Sequence, residues 1–410
     1  MNNTNTRAIP WYFQFFVVIY TMHFTVPFVG YHTPAIVNVA VLLFLYGFLI
    51  VRNGQHALSD FIKTIPIFTI YFLTLIYAGF KNIFIETYWL LQLMIFPLIM
   101  LYFIRNNDRK VGLRIIIIIG ISLLVTAITT YLGCRAYPGA SRELAAMLSS
   151  KDSALYAFYM SLNIGSFSFI YALVLLIPLL IYAIRDKLIK RWIGLIVIVI
   201  VSMTIVQSDY TTALLCLLIS IIILFLFPNQ LKTKHYFIMV ILTIVFMLAS
   251  DRFVVPVLDK VEKLVAGEVT SSRLQELSSF SSNEQSYLEG DMESRYELYT
   301  TSINSFANSP IFGGSSSKIG GHSYIFDNMG KFGLVGIIGM IMVFRTVYKS
   351  FYYPFRRQKW YGHVLFSFFM ALLLAFLNPK DNIIVLTFYL PLFCVTFTKN
   401  DINYENTMDC

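Results

Sequence analysis

Residues 115–132 read IIIIIGISLLVTAITTYL, eighteen residues without a charge, set between Arg114 and Arg135. As a helix this run is about 27 Å long, close to the ~30 Å thickness of a bilayer's hydrocarbon core. Runs of the same kind recur at 11–29, 33–51, 64–80, 88–104, 161–184, 192–207, 211–227, 236–250, 323–344, 361–377 and 382–398. The composition agrees: 57% hydrophobic, 13% charged and a mean hydropathy of +0.70, where soluble chains carry about 25% charged residues. The expected fold is an all-α polytopic membrane protein with about 12 transmembrane helices, one integral membrane domain over 1–410. The pair 192–207 and 211–227 reads alternatively as one broken or re-entrant unit. The first run, Trp11–Val29, is longer than a signal-peptide core and lacks a small-residue cleavage site after it, so it is expected to stay as an anchor. Trp11, Trp89 and Trp192 fall near segment ends, where indoles favour the membrane interface.

Charge placement sets the expected orientation. With both termini cytoplasmic, the inner side collects Arg52, Arg105, Arg109, Lys110, Arg114, Arg185, Lys187, Lys190, Arg191, Arg345, Lys349, Arg356 and others, nineteen of the 31 basic residues. Most lie in short loops, where the positive-inside bias operates. Sixteen of the 22 acidic residues then fall outside. The net charge of +9 is therefore a topology signal, and no nucleic-acid footprint remains. Cys134, Cys216, Cys394 and Cys410 are scattered and suggest neither a disulfide framework nor a zinc site. The six histidines form no i,i+4 pair, so no metal is expected. No phosphate-loop motif and no internal repeat is present, which argues against an ATP-driven pump. No cofactor is expected.

Two outer loops are long enough to carry chemistry. The smaller, 133–160, holds Arg135 and Arg142; the larger, 251–322, is about seventy residues long and is the expected catalytic loop. Its middle is rich in Ser, Glu and Gln, a composition that resists packing. Ser294–Phe306 is expected to form a short helix along the membrane surface, with Leu298, Ile303 and Phe306 on one side and Arg295 in its first turn. His322 follows Gly320-Gly321 and precedes an apolar helix containing Gly330, Gly333, Gly336 and Gly339. Small residues on a membrane helix ordinarily serve close helix packing, and that is the reading for these glycines.

Each candidate has an ordinary reading beside a chemical one. His322 is either a plain interfacial residue or a proton-transfer group, the one side chain whose usual pKa suits that task near neutrality. Arg295 is either the ion-pair partner of Glu293 or Glu297, or a planar, permanently charged ligand for phosphate. Arg135 and Arg142 are candidates to converge on the same anion. Asp209 lies between two apolar runs; a short solvated turn is the preferred reading over a functional acid at the membrane edge.

The string from Arg295 through Ser309-Pro-Ile-Phe-Gly-Gly314 to His322-Ser-Tyr-Ile-Phe-Asp-Asn-Met-Gly-Lys-Phe-Gly-Leu-Val-Gly336 resembles the O-antigen polymerase (Wzy) and O-antigen ligase (WaaL) superfamily. Members carry an arginine, an apolar helix, a Pro-x-x-Gly turn and a histidine leading into a Gly-rich membrane helix. The asparagine that often follows that histidine is Ser323 here. The resemblance implies metal-independent glycosyl transfer from an undecaprenyl-pyrophosphate-linked oligosaccharide, at the outer face of a bacterial cytoplasmic membrane. It implies catalytic roles for His322 and Arg295, and substrate contacts from Arg135, Arg142, Tyr299 and Ser323. A flippase and a chain-length regulator are the protein partners it implies. A repeat-unit polymerase of O-antigen or capsule is favoured over a ligase, because the match is loose and polymerases are the more divergent group. A lipid-oligosaccharide transporter is the alternative of another class; it predicts charged residues deep in several spans. A non-catalytic assembly protein is the last alternative, and for it His322 and Arg295 would be dispensable.

Overall fold

The computed structural model describes residues 9–54, 56, 59–60, 71–76, 83–106, 108–147, 153–226, 238, 291–314, 323–356 and 358–377. These residues are helical throughout their regular structure and contain no strand. Helix α1 (Trp11–Thr25) stops at Val26, because Pro27 lacks an N–H and disfavours helical geometry in the residue before it. That proline then opens α2 (Pro27–His32). Next come α3 (Ala35–Asn53), α4 (Ile83–Asn106) and α5 (Arg109–Ala136), the last capped by the Asp108 side chain accepting from the Val111 amide. The described part of 133–160, the expected smaller outer loop, holds two short helices, α6 (Ala140–Ala146) and α7 (Ala154–Ser161). The chain continues with α8 (Phe167–Arg185), α9 (Arg191–Gln207), α10 (Thr211–Leu226), α11 (Asp291–Asn308) and α12 (Tyr324–Val347). A π-helical turn (Tyr348–Tyr352) and a 3-10 turn (Tyr353–Phe355) lead to α13 (Tyr361–Leu377).

Helix α8 is the axis of the bundle. Phe169 through Leu175 are buried in unbroken succession, as a helix enclosed on all sides requires. Around it pack α9, α10 and α13; α5 joins α9, α1 joins α5 and α3, α3 joins α4, and α12 joins α13. The outward sides stay apolar. On α5 the exposed Ile117, Ile121, Val125, Ile128 and Leu132 recur at helical spacing, the pattern of a helix whose free face meets hydrocarbon.

Among the described residues, four helices are long and apolar enough to cross a membrane: Ala35–Arg52, Lys110–Ala136, Phe167–Arg185 and Tyr324–Thr346. Leu90–Phe103, Arg191–Gln207, Thr212–Phe225 and Tyr361–Leu374 are shorter apolar helices. The expected runs at 236–250 and 382–398 lie outside the described residues apart from position 238, and of 64–80 only 71–76 is described. The pair 192–207 and 211–227 is two separate helices, both packed on α8.

Contacts order the helix ends. The N-terminal end of α8 meets the C-terminal part of α5 through Gly165 N to Thr130 Oγ1 (2.8 Å). The α9–α10 turn joins them, with Tyr210 donating to Ser141 O (2.8 Å). Ser367 on α13 donates to Leu175 O (2.8 Å) and His363 packs on Tyr182, so α13 is antiparallel to α8. Tyr348, at the end of α12, meets Tyr361, at the start of α13 (2.9 Å). The start of α12 therefore shares one end of the bundle with Arg135, Arg142 and Asp209. Arg114, Arg185, Arg191 and Arg345 sit toward the other end, as the charge pattern requires.

Asn163 ties the first of these ends together. It holds a left-handed φ of +57°, a conformation that asparagine tolerates better than most residues. Its Oδ1 accepts from Phe28 N (3.1 Å). Its Nδ2 donates to Thr126 Oγ1 and Thr129 Oγ1 (3.1 Å each). Thr129 returns its hydroxyl hydrogen to Asn163 O (2.9 Å). One side chain thus links α2, α5 and the entry to α8. Asn163→Ala should destabilise the protein by about 3 kcal/mol, since each orphaned buried group costs roughly 1–3 kcal/mol. The check is the thermal midpoint in detergent, which should fall by several degrees.

Candidate functional site

The large outer loop is described only over 291–314, where the expected helix appears as α11 with wider bounds. Its placement differs from the expectation. Tyr299 packs against Phe326 (5.5 Å between rings), Ser305 Oγ donates to Gly330 O (3.1 Å), and Leu334 N donates to Pro310 O (2.8 Å). Residue numbers rise together on both sides of this contact, so α11 runs parallel to the first half of α12. A helix lying along the membrane surface would cross α12 instead. The packed side is also not the one expected. Ser302 is fully buried and Ile303 is 43% exposed, because small hydroxyl residues let the backbones of the two helices approach closely.

The cause is a splice between backbones. In an unbroken α12, Gly330 O would accept from Leu334 N and Lys331 O from Val335 N. Both bonds are opened at Gly333, which adopts φ +61° and ψ −145°, a conformation close to glycine-only territory. The turn after α11 fills the gap. Gly314 N donates to Gly330 O (2.9 Å), while Pro310 O and Ile311 O accept from Leu334 N (2.8 Å) and Val335 N (3.3 Å). These bonds give partners to Gly330 O, Leu334 N and Val335 N, three of the four groups of the opened pairs, as a buried break requires. A Cβ on Gly333 would stand 2.6 Å from Ile311 C and O; one on Gly313 (φ +73°) would overlap the Lys331 carbonyl. A Cβ on Gly336 would stand 2.6 Å from Asn328 O of its own helix. Gly333 and Gly336 therefore serve a helix break and the turn seated in it; the expectation of packing between neighbouring helices is corrected for these two.

Tyr299 packs on the Phe326 ring, and Ser323 caps the helix that carries it. Ser323 is buried; its Oγ caps α12 by accepting from Phe326 N (3.1 Å), and its amide donates to Asp327 Oδ2 (3.3 Å). Its hydroxyl thus has a capping task in the structure. Arg295 belongs to α11 one turn before Tyr299, with its backbone alone described. His322, bonded to Ser323, lies outside the described residues.

The arginines of the smaller loop form a second group at the same end of the bundle. Arg135 is exposed in the last turn of α5, where a cation favours the helix dipole. Arg142 is half-buried on α6, within electrostatic reach of the Tyr210 hydroxyl. Burial pushes the Tyr210 hydroxyl far up from its ordinary value, with Arg142 opposing. Tyr159 is pushed up to about 12, by burial first and then by its hydrogen bond to Glu143 Oε2 (2.8 Å). Both hydroxyls stay protonated donors at physiological pH. Asp209 corrects the solvated-turn reading: it is only 3% exposed, with a left-handed φ of +60°, between buried Ser208 and half-buried Tyr210.

Two features were missed in the sequence. Asp209 looked like an ordinary turn residue because burial depends on α5 and α6 closing over it. Asp327 and Lys331 place an acid and a base four residues apart inside an apolar helix, a spacing that faces the two side chains to one side and was a readable signal. Among the described residues no three His, Cys, Asp or Glu side chains gather as a metal site would. The chain matches no family model and no curated protein sequence.

Gly333→Ala should dislodge the turn, whose contacts are backbone and cannot yield. Gly120→Ala on α5, where a Cβ meets nothing within 4 Å, should be neutral. Limited proteolysis within 291–314 reads the difference: faster cleavage in the first variant and an unchanged rate in the second.

Proposed function

We propose that the chain is a polysaccharide repeat-unit polymerase of the Wzy type. In this reading it joins undecaprenyl-pyrophosphate-linked oligosaccharides of O-antigen or capsule at the outer face of a bacterial cytoplasmic membrane. One observation supports it most. The described parts of the resembling string pack as one unit, in which the helix carrying Arg295 lies parallel to the helix that follows His322, with the third turn of the former packed on the first turn of the latter through Tyr299 and Phe326. The Pro-x-x-Gly turn is the part that locks the two helices together.

The reading takes the basic end of the bundle as cytoplasmic, with both termini there and about twelve spans in all. The acceptor sugar's hydroxyl oxygen attacks the anomeric carbon of the donor. The bond from that carbon to the pyrophosphate oxygen breaks on the opposite face, which inverts the centre. The hydroxyl proton passes to His322, and the bonding electron pair leaves with the lipid pyrophosphate. Arg295 takes up the charge that grows there, and Arg142 and Arg135 stand on the same end of the bundle to assist. Pyrophosphate is already a good leaving group, so the reaction draws on no nucleotide.

An O-antigen ligase would use the same residues on another acceptor. The transporter reading has one observation in its favour: a broken helix holding Asp327 and Lys331, the kind of element that builds transport sites. Against it, the backbone groups that such sites turn toward an ion are here occupied by the Pro310–Gly314 turn.

A strain deleted for the gene should accumulate single repeat units, on the carrier or capping lipid A core. Full-length polymer stranded on undecaprenyl pyrophosphate would instead identify a ligase. Complementation with His322→Ala should restore no polymer. Arg295→Lys keeps the charge but loses the bidentate fork, so activity should drop on the order of 100-fold. Normal polymer from both variants, with normal membrane insertion, would remove the proposed chemistry.

A further inference from the structure

Three buried polar atoms without a hydrogen-bond partner among the described residues gather at the start of α13. They are the indole Nε1 of Trp360 and both ring nitrogens of His363. The two side chains are only 2% and 4% exposed. They stand about one helical turn apart, with Trp360 O accepting from His363 N (3.0 Å) and Val364 N (3.2 Å) as the helix opens. A buried polar group left unpaired costs roughly 1–3 kcal/mol, and native proteins pair nearly all of theirs. A partner from outside the chain is therefore expected here.

The chemistry of the three atoms specifies that partner. An indole N–H only donates, and an imidazole always carries at least one N–H, so both side chains call for an acceptor. The two imidazole nitrogens point to opposite edges of the ring, and a water serves the edge that the acceptor does not reach. The surroundings are positive. The first turn of α13, a helix of 17 residues, is the positive end of its dipole. Arg185 of α8 is within electrostatic reach of the His363 ring and is held there by donating to Leu224 O (2.8 Å). The Tyr182 ring packs on His363 from the same helix (5.3 Å), and its hydroxyl donates to Asp186 (3.0 Å). Lys349, Arg356 and Lys359 are exposed on the connection that leads into α13. Between Asp327 and Asp381 the sequence contains no acid.

We propose that the start of α13 binds an oxyanion of the phosphate class, which accepts from Trp360 Nε1, one ring nitrogen of His363 and the Arg185 guanidinium. Bound there, it joins α13 to α8 at the basic end of the bundle. Its source is free phosphate or the phosphate of an anionic phospholipid in the leaflet at that end. The site lies at the opposite end from Ser323 and Arg142 and does not rest on the polymerase reading.

Full-length protein, purified in an uncharged detergent without phosphate, tests this. The readouts are the thermal midpoint and the Trp360 emission in a variant whose Trp11, Trp89 and Trp192 are replaced by phenylalanine. Millimolar inorganic phosphate, or phosphatidylglycerol in the micelles, should raise the midpoint by several degrees and shift the emission. Chloride at equal ionic strength and phosphatidylcholine should do neither. A response to phosphate assigns the free anion, and a response to phosphatidylglycerol alone assigns the leaflet lipid. His363→Phe and Trp360→Phe should each abolish the midpoint response; an apolar ring needs no partner, so both variants should fold without the anion. Three results would overturn the proposal. One is no response to phosphate or phosphatidylglycerol, the behaviour of a site filled by water only. Another is an equal response to chloride or phosphatidylcholine, which is general screening or lipid stabilisation. The third is an unchanged response in either phenylalanine variant.

Discussion

Four backbone segments meet where the Pro310–Gly314 turn enters α12, and the arrangement of the candidate site depends on that junction. Opening two hydrogen bonds of a helix would cost roughly 1–3 kcal/mol for each group left unpaired. Here Gly314 N, Pro310 O and Ile311 O take the opened partners. The exchange works only if two chains touch without side chains between them, which is why glycine stands at 313 and 333. It has a positional consequence. With its end fixed in α12, α11 cannot lie flat, and its third turn, at Tyr299, is held beside the capped start of α12.

A second constraint acts at the same end of the bundle. Asn163, Ser141, Tyr210 and the threonines of α5 satisfy one another across four elements. Such a network is stabilising only when complete, because water is a poor substitute partner inside an apolar bundle. It fixes the α5–α6 connection and so the position of Arg142 beside the α9–α10 turn that holds Asp209. The two groups of candidate residues are thus held by different devices, a backbone splice and a side-chain network.

The helices and their ends were legible because hydrocarbon imposes a simple code of length, charge and proline breaks. The gathering of basic residues toward one end is a direct reading of that code, whereas the run Trp11–Val29, expected as one segment, is broken at Pro27 into α1 and α2. The Ser294–Phe306 helix was legible as a helix and not in its direction. Its weak apolar pattern pointed to the face of Leu298, Ile303 and Phe306, whereas the buried side holds Ser302, and Ser305 bonds to the α12 backbone. The repeated glycines looked like a packing stripe because spacing alone does not tell a helix groove from a helix break. Asp209 was misread for a related reason: a three-residue turn is solvated unless other elements pack against it, and α6 is bonded to this one through Tyr210 and Ser141. Asp327 and Lys331 needed no structure, only attention to charge inside an otherwise apolar run.

The central claim is that this fold alone joins lipid-linked glycans, with Arg295 and His322 doing the chemistry. The direct measurement uses purified full-length protein in proteoliposomes. The substrate is the lipid-linked oligosaccharide pool from the deletion strain, with a chelator present and no nucleotide. The account predicts a ladder of products spaced by one repeat unit, absent with His322→Ala. Unchanged single units, or units that only change leaflet, would contradict it.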